Sequence, residues 1–433
     1  MSARRFLFLQ GLAGPMFTRL GDRLRAQGHA VQRVNFCAGD ALAWRGRPAM
    51  DWREGLGAWP ARFTALLDER APTDLVLFGA LRPLHRAVIP LARAAGVRVH
   101  AFEEGYVRPN WITVERLTER DTPWLPRDAH WYREVDRHLP RHDHDRPIQV
   151  PLQVRAAQEL AHHLANAANP IAFPGYRTHR QHDAATESLG FVRRFATLPL
   201  RALADARRLE ALLAGGAPFF MLPLQLDGDA QIVHHSPFGD IAEVIELVLR
   251  SFAAHAPAGT QLLVKNHPLD AGLHGHGRTV ARLVRQFDLA GRVHYVETGH
   301  LPTLLGAARG TVVVNSTVGL SALSQGCPVK ALARPIYDLP GLTHGHGLDL
   351  FWREPERPDA GLFAALRNTV IHASQVNGDF CTRGGIALAV DGCTRMLGER
   401  SPLEELLATF GRPADERAAV PVPLPGARED AMR

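Results

Sequence analysis

The chain has 433 residues, 46% hydrophobic and 22% charged. This composition excludes a disordered, collagenous or disulfide-scaffold protein and, at roughly 100–200 residues per domain, predicts two domains or three. Fifty Lys and Arg against 44 Asp and Glu give a net charge of +6, a modest excess, and the 22 histidines raise it further below neutral pH.

In chain order, Phe6–Leu9 is a short apolar run ending in a loop punctuated by Gly11, Gly14 and Pro15. Four residues are too few for a signal-peptide core, and a first β-strand fits better. Helical spacing follows from Phe17 to Ala26, with Gly28 where a helix stops. Ala30–Phe36, Asp74–Phe78 and Val97–Phe102 are each short, apolar and bounded by turn residues. Strands separated by helix-length segments predict βαβ units and a parallel sheet. Residues 140–210 read as mostly helical, rich in Arg and His, and join two halves.

The same grammar restarts near residue 218. Phe219–Leu224 reads as a strand, and Asp240 as the cap of a helix carrying Ile241, Val244, Ile245, Val248, Leu249 and Phe252 at i, i+3, i+4, i+7 spacing. Gln261–Lys265, Val293–Val296, Thr311–Asn315 and Pro328–Leu332 supply further strands. The expected fold is α/β, with two Rossmann-like domains facing a cleft. Residues 1–210 form the first domain with its helical connector, 211–375 the second, and 376–410 a C-terminal helical group; 411–433 have too little apolar periodicity to fold. No apolar stretch approaches the 18 or more residues of a membrane-spanning helix, on the usual scale of roughly 20. Cys37, Cys327, Cys381 and Cys393 lack CxxC or finger spacing, so free thiols in an intracellular protein are expected.

In open α/β sheets ligands bind beyond the carboxyl ends of the strands, and the informative residues fall there. Val97–Phe102 runs into Glu103 and Glu104 before Gly105, two carboxylates costly to crowd unless one binds or transfers a proton; a solvated acidic loop is the plain alternative. Gln261–Lys265 ends in Asn266-His267-Pro268, where a histidine suits a phosphate or acid role, or a structural one. Thr311–Asn315 leads into Ser316-Thr317, which reads as a helix start able to hold phosphate, or as a simple N-cap. The run Gln225 to Ile232 supplies Asp227 and Asp229, though Asp-Gly-Asp is also ordinary turn chemistry. The pairs His274/His276 and His344/His346 lack a third ligand at diagnostic spacing, and no metal is expected. P-loop and GxGxxG patterns are missing.

Phe8-Leu9-Gln10-Gly11, Cys37-Ala38-Gly39-Asp40 before Trp44-Arg45-Gly46, and Glu103-Glu104-Gly105-Tyr106-Val107-Arg108-Pro109 resemble motifs of the capsule polysaccharide biosynthesis proteins of the KpsS type. Pro223 to Ile232, Lys265-Asn266-His267-Pro268 and Asn315 to Gly319 continue the match, which extends to about residue 340. The resemblance implies a retaining β-Kdo glycosyltransferase of the two-Rossmann architecture called GT-B. Such an enzyme uses CMP-β-Kdo to start the Kdo linker of a Gram-negative capsule on phosphatidylglycerol.

The resemblance further implies donor binding by Lys265, Asn266, His267, Pro268, Asn315, Ser316 and Thr317. Gln10, Gly11, Asp40, Arg45, Tyr106 and Arg108 belong to the acceptor side. His267 and Lys265 suit the growing charge on departing CMP. Retention suggests a double displacement with Asp229 as nucleophile, Asp227 as the fallback, and Glu103 or Glu104 as base. No cofactor is required beyond the donor substrate.

A lipid acceptor implies a cytoplasmic enzyme peripheral to the inner membrane, alongside other capsule assembly proteins. Arg177, Arg180, Arg193, Arg194, Arg201, Arg207 and Arg208 are candidates for anionic headgroups, or a solvated helical face. Alternatives are a nucleotide-sugar epimerase on the same layout and a non-catalytic scaffold of capsule assembly. Nucleic acid is not an expected partner, since no aromatic-plus-basic platform accompanies the charge.

Overall fold

The computed structural model describes residues 3–117, 125–142, 148, 151–178, 184–227, 232 and 236–413. Asp229, Arg180 and the chain beyond 413 lie outside the described residues. In chain order the strands are β1 (Arg5–Phe8), β2 (Ala30–Asn35), β3 (Ala49–Asp51), β4 (Asp74–Phe78), β5 (Arg98–Glu104) and β6 (Trp111–Leu117). These are followed by β7 (Phe219–Pro223), β8 (Gln261–Lys265), β9 (Val293–Val296), β10 (Gly310–Val313), β11 (Val329–Ala331) and β12 (Gln375–Asn377). The chain divides into two compact units, one of residues 1–125, 135–184 and 367–411, the other of 126–134, 185–366 and 412–433.

The first unit is built on a sheet of order β12-β6-β5-β4-β1-β2-β3. Its centre is parallel, as the βαβ pattern predicts. All five residues of β4 are buried, the signature of a strand covered on both faces. Period-two alternation then sorts the side chains. Phe6, Phe8, Val76 and Phe78 join one core, with Phe17, Leu20, Trp44, Ile386 and Cys393; Leu7, Leu9, Leu75 and Leu77 join another, with Trp59 and Phe63. The helices after residue 375, expected as a separate C-terminal group, thus complete this unit.

Two strands depart from the parallel pattern: β6 pairs antiparallel with β5, and β12 antiparallel with β6. A Cβ on Gly105 would lie 2.1 Å from the Trp111 carbonyl oxygen, so this tight reversal requires glycine. β5 also runs past its expected end to Glu104, which puts both acidic residues inside the strand.

The second unit carries a wholly parallel sheet, order β11-β10-β7-β8-β9. Helix Ile241–His255 covers it with the periodic residues read from the sequence. Asp240 caps that helix as expected, its carboxylate accepting the Glu243 N–H at 2.9 Å. Both units are therefore α/β and Rossmann-like. The four cysteines are free thiols, and among the described residues no helix is long and apolar enough to cross a membrane.

Candidate functional site

In the second unit β10, β7 and β8 are adjacent, so the segments following them meet at one sheet edge. Gln225, just past β7, donates to the Asn315 side chain at 3.0 Å and accepts the Asn315 backbone N–H at 3.3 Å. Asn266, just past β8, donates to Asp270 at 2.8 Å and accepts the His267 backbone N–H at 2.9 Å. These amide clamps fix the turns without spending charge. His267 Nδ1 accepts the Leu269 backbone N–H at 3.1 Å, which in the neutral ring places the proton on Nε2. A donor nitrogen on a half-buried imidazole suits an anionic oxygen.

Below this loop lies a residue expected elsewhere. Arg194, a candidate for anionic headgroups or a solvated face by sequence, is instead buried, and its guanidinium donates to the carbonyls of His267 (3.1 Å) and Asp270 and packs beside Glu297 at 3.4 Å. Its five donors match carbonyl oxygens turned inward, and that outweighs the usual preference of arginine for solvent. Lys265 is buried as well, and burial followed by the Arg194 charge holds its ammonium below the ordinary lysine range.

Thr317 stands at the N-cap of helix Val318–Ser324 without a side-chain cap bond, while Ser316 Oγ accepts the Val318 N–H at 3.2 Å. Accepting that bond leaves the serine's own O–H as a donor. Pro268 is exposed beside His267.

Asp227 is 7% exposed, accepts the Ile241 N–H at 3.2 Å and faces His276 Nε2 at 2.8 Å, with His274 at 3.7 Å. Burial pushes its carboxyl up, but the bond and charge of His276 and the Ile241 N–H outweigh it and hold the group below its ordinary value. For His276 burial pulls down, and the Asp227 hydrogen bond and charge prevail to raise it. One HxH pair is therefore a partner of an aspartate. Among the described residues no cluster of three His, Cys, Asp or Glu could hold a metal.

In the first unit, β5, β4, β1 and β2 are adjacent. Gln10 is buried beyond β1, donating to Asp40 Oδ2 at 3.1 Å and accepting from Arg82 at 3.2 Å. Asp40 also accepts from Arg33 at 2.9 Å and from the Phe36 N–H at 3.2 Å. Arg82 reaches the Gly11 carbonyl at 2.9 Å. Beside this network opens a cavity of about 440 Å³ whose walls include Gln10, Arg82, His162, Asn166, Asn169 and Tyr176. Asn166 and Asn169 accept the Gly39 and Ala38 backbone N–H groups at 2.8 Å, tying the connector helices to the short helix Ala38–Ala43.

Glu104 pairs with Arg155 at 3.1 Å, both partly exposed. Glu103 stands opposite Thr113 in the β5–β6 register, two residues from Glu115 on the same face. Glu115 is buried with Oε1 unpartnered, and its carboxyl is pushed up to about 7 by burial, with the Glu103 charge adding and a Tyr106 hydrogen bond opposing. The Tyr106 backbone N–H donates to Gln375 at 2.9 Å. Arg45 and Arg108 are exposed, and Arg108 donates to its own turn at the Gly105 carbonyl.

The structure thus gathers Gln10, Gly11 and Asp40 at one edge, and Asn266, His267 and Asn315 at another. Motif reading missed Arg82, Arg155, Asn166, Asn169, Tyr176 and Glu115. None sits in a recognisable motif, and Glu115 lies in β6, a strand whose broken apolar pattern does not announce it.

Comparison with known proteins adds to this geometry. The sequence profile described as "Capsule polysaccharide biosynthesis protein" matches residues 73–381. The capsule polysaccharide modification protein LipB of Neisseria meningitidis serogroup B is 34% identical over 388 residues, covering 88% of this chain and 92% of its own length. The capsule polysaccharide export protein KpsS of Escherichia coli is 31% identical over 379 residues, covering 87% and 97%. Among solved structures, Thermosulfurimonas dismutans KpsC, a beta Kdo 2,7 transferase, overlays with a TM-score of 0.41 at 15% identity, over 89% of this chain and 99% of that one.

Proposed function

The chain belongs to the capsule polysaccharide biosynthesis protein family, and from that premise we propose that it is a glycosyltransferase of capsule assembly. The proposed reaction moves β-Kdo from CMP-β-Kdo, with retention, to a phosphatidylglycerol-type lipid, on a GT-B architecture. The observation that supports it best is the convergence of Gln225, Asn266-His267-Pro268 and Asn315-Ser316 at the carboxyl ends of three adjacent parallel strands. That is where an α/β sheet receives a nucleotide.

In this reading His267 donates to the CMP phosphate, and Lys265 and Thr317 complete the donor subsite. Charge accumulating on the leaving phosphate is thereby stabilised as the anomeric bond breaks. Asp227 is committed to His276 and Ile241, and the nucleophile is assigned to Asp229. Asp229 forms the glycosyl-enzyme bond as CMP leaves, and the acceptor hydroxyl then displaces it while a base takes its proton. The base is Glu103 or Glu104, adjacent at the end of β5, and Glu104 pairs with Arg155 at 3.1 Å. The first unit holds the acceptor near Gln10, Gly11, Asp40 and Tyr106, and the protein works at the cytoplasmic face of the inner membrane.

The test is to incubate the protein with CMP-Kdo generated in situ and a fluorescent phosphatidylglycerol analogue, and to look for a mass gain of Kdo. No gain with this donor, or gain with another nucleotide sugar, overturns the proposal. Asp229→Asn is expected to abolish transfer while CMP binding, read by calorimetry, stays near wild type. Transfer at the wild-type rate removes the nucleophile assignment.

A further inference from the structure

We propose that the helix Ala184–Ala214 lies on an anionic lipid bilayer, inserting a stripe formed by Leu189, Val192, Leu200 and Leu203. The inference rests on the lipid-acceptor reading above and names the surface that would meet the membrane.

The helix departs from the ordinary rule for a surface helix, which buries its apolar face and exposes its polar one: Leu212 is buried near its end, but a second apolar line is left outside. Its inward face is held by polar groups. Arg194 donates to the His267 and Asp270 carbonyls, and Asp205 accepts the Glu297 and Thr298 backbone N–H groups at 2.8 and 3.0 Å. Both side chains are buried, and Gly190, between them and the N-terminus, packs so closely that a Cβ would lie 2.8 Å from the Ala271 carbonyl oxygen. Those bonds fix the rotation of the helix about its axis.

The consequence is on the other side. Leu189, Val192, Leu200 and Leu203 are 71%, 66%, 76% and 58% exposed. Their spacing of three, eight and three residues keeps them on one face, with Ala196 and Pro199 exposed between them. At 1.5 Å per residue the stripe is about 21 Å long. Five of the eleven large hydrophobic side chains exposed among the described residues, Leu213 with the four of the stripe, fall on this one helix. A concentration of that kind marks an interaction surface, unlike scattered single exposures.

Charge selects the occupant. Arg193 and Arg207 are exposed on the same helix, as are Arg201 and Arg208, which pair with Glu297 and Asp205, and Glu210 is an exposed acid near its end. Apolar side chains along one line of a single helix that also carries exposed arginines match the boundary between acyl chains and anionic headgroups. A protein partner would have to supply its own groove.

The experiment is flotation of the full chain with vesicles of phosphatidylcholine alone, or mixed with phosphatidylserine or phosphatidylglycerol, across a salt series. Binding to both anionic mixtures is expected, weakening with salt, and reduced roughly tenfold or more by combined L189S, V192S, L200S and L203S substitution. Because phosphatidylserine is not the proposed acceptor, binding to it supports the surface even if no glycosyl transfer is ever found. A Leu200→Trp variant provides a second readout, its emission moving to the blue with anionic vesicles. Flotation unchanged by the fourfold substitution in a protein of wild-type melting temperature overturns the proposal. So does absence of binding to anionic vesicles, or a stripe whose loss only abolishes self-association.

Discussion

Two carboxylates buried in the first unit behave in opposite ways. Asp74 opens β4 at the amino edge of the sheet, where Arg4, Arg98 and His100 surround it; Arg98 and His100 lie at 2.9 Å. Burial pushes its carboxyl up, but the hydrogen bonds of His100, Arg4 and Arg98 overwhelm that and hold it well below the usual carboxylate range. Burial in turn lowers His100 to about 4, against the Asp74 bond, so the ring is neutral at pH 7. Glu115, in β6, is raised to about 7 by burial, which outweighs a hydrogen bond from Tyr106. The same chemical group is thus a fixed anion at one place and a proton reservoir at another. The difference teaches that the amino edge of this sheet is built for stability, while the end near Glu103 tolerates a cost, as functional sites do.

The comparison can be broken most directly at Asp74. Asp74→Ala is expected to cost roughly 3–5 kcal/mol at pH 7, because it leaves buried cationic and imidazole groups uncompensated. The stabilisation of a depressed carboxyl is complete above its unfolded value of 3.8 and is lost as pH falls through the folded value. Urea titrations at pH 7 and pH 3 should therefore show the mutational cost shrinking in acid. A cost below 1 kcal/mol at pH 7 ends the contrast.

Glu115→Gln should act with the opposite sign. A raised carboxyl favours the fold below its ordinary value of 4.5, and that advantage is lost as pH rises through about 7. The variant should match wild type near pH 4, then gain stability with rising pH, up to about 3 kcal/mol above neutrality. Parallel pH-dependent melts show no such divergence if Glu115 is charged and satisfied.

Arg155→Ala is the smallest test. The Arg155–Glu104 pair is partly exposed, and its removal should change stability by roughly 0.2–1 kcal/mol. A larger loss by chemical denaturation would place Glu104 with Asp74, as a structural anion.

How much was legible follows from where information sits along the chain. β4, β8 and β9 were read to the residue, because they are short apolar runs between turn residues, and Asp240 because an N-cap is a local contract. β6 was missed because Thr113, Glu115 and Arg116 interrupt its apolar run, and its strand character depends on pairing with β5. β12 has three residues and pairs with a strand some 260 positions earlier, so no window could contain its signal. The site followed the same rule. Asn266, His267 and Asn315 sit at strand ends and announced themselves; Arg82, Asn166 and Tyr176 come from segments with no motif and meet only in the folded unit. Arg194 misled because sequence shows a charge without showing the carbonyls that receive it.

The return of residues 367–411 to the first unit bears on how the chain is made. Val376 closes the sheet edge through β12, and Phe380, Ile386, Ala389, Cys393 and Met396 fill the core around Phe8 and Phe17. A chain emerging from the ribosome therefore exposes an incomplete first core until residues 375–397 have been synthesised. The second unit, contiguous over 185–366, has all its strands in hand earlier. The unit that carries β1 is sealed only by β12 and the helices after it, and in that interval its apolar face is open to misassembly.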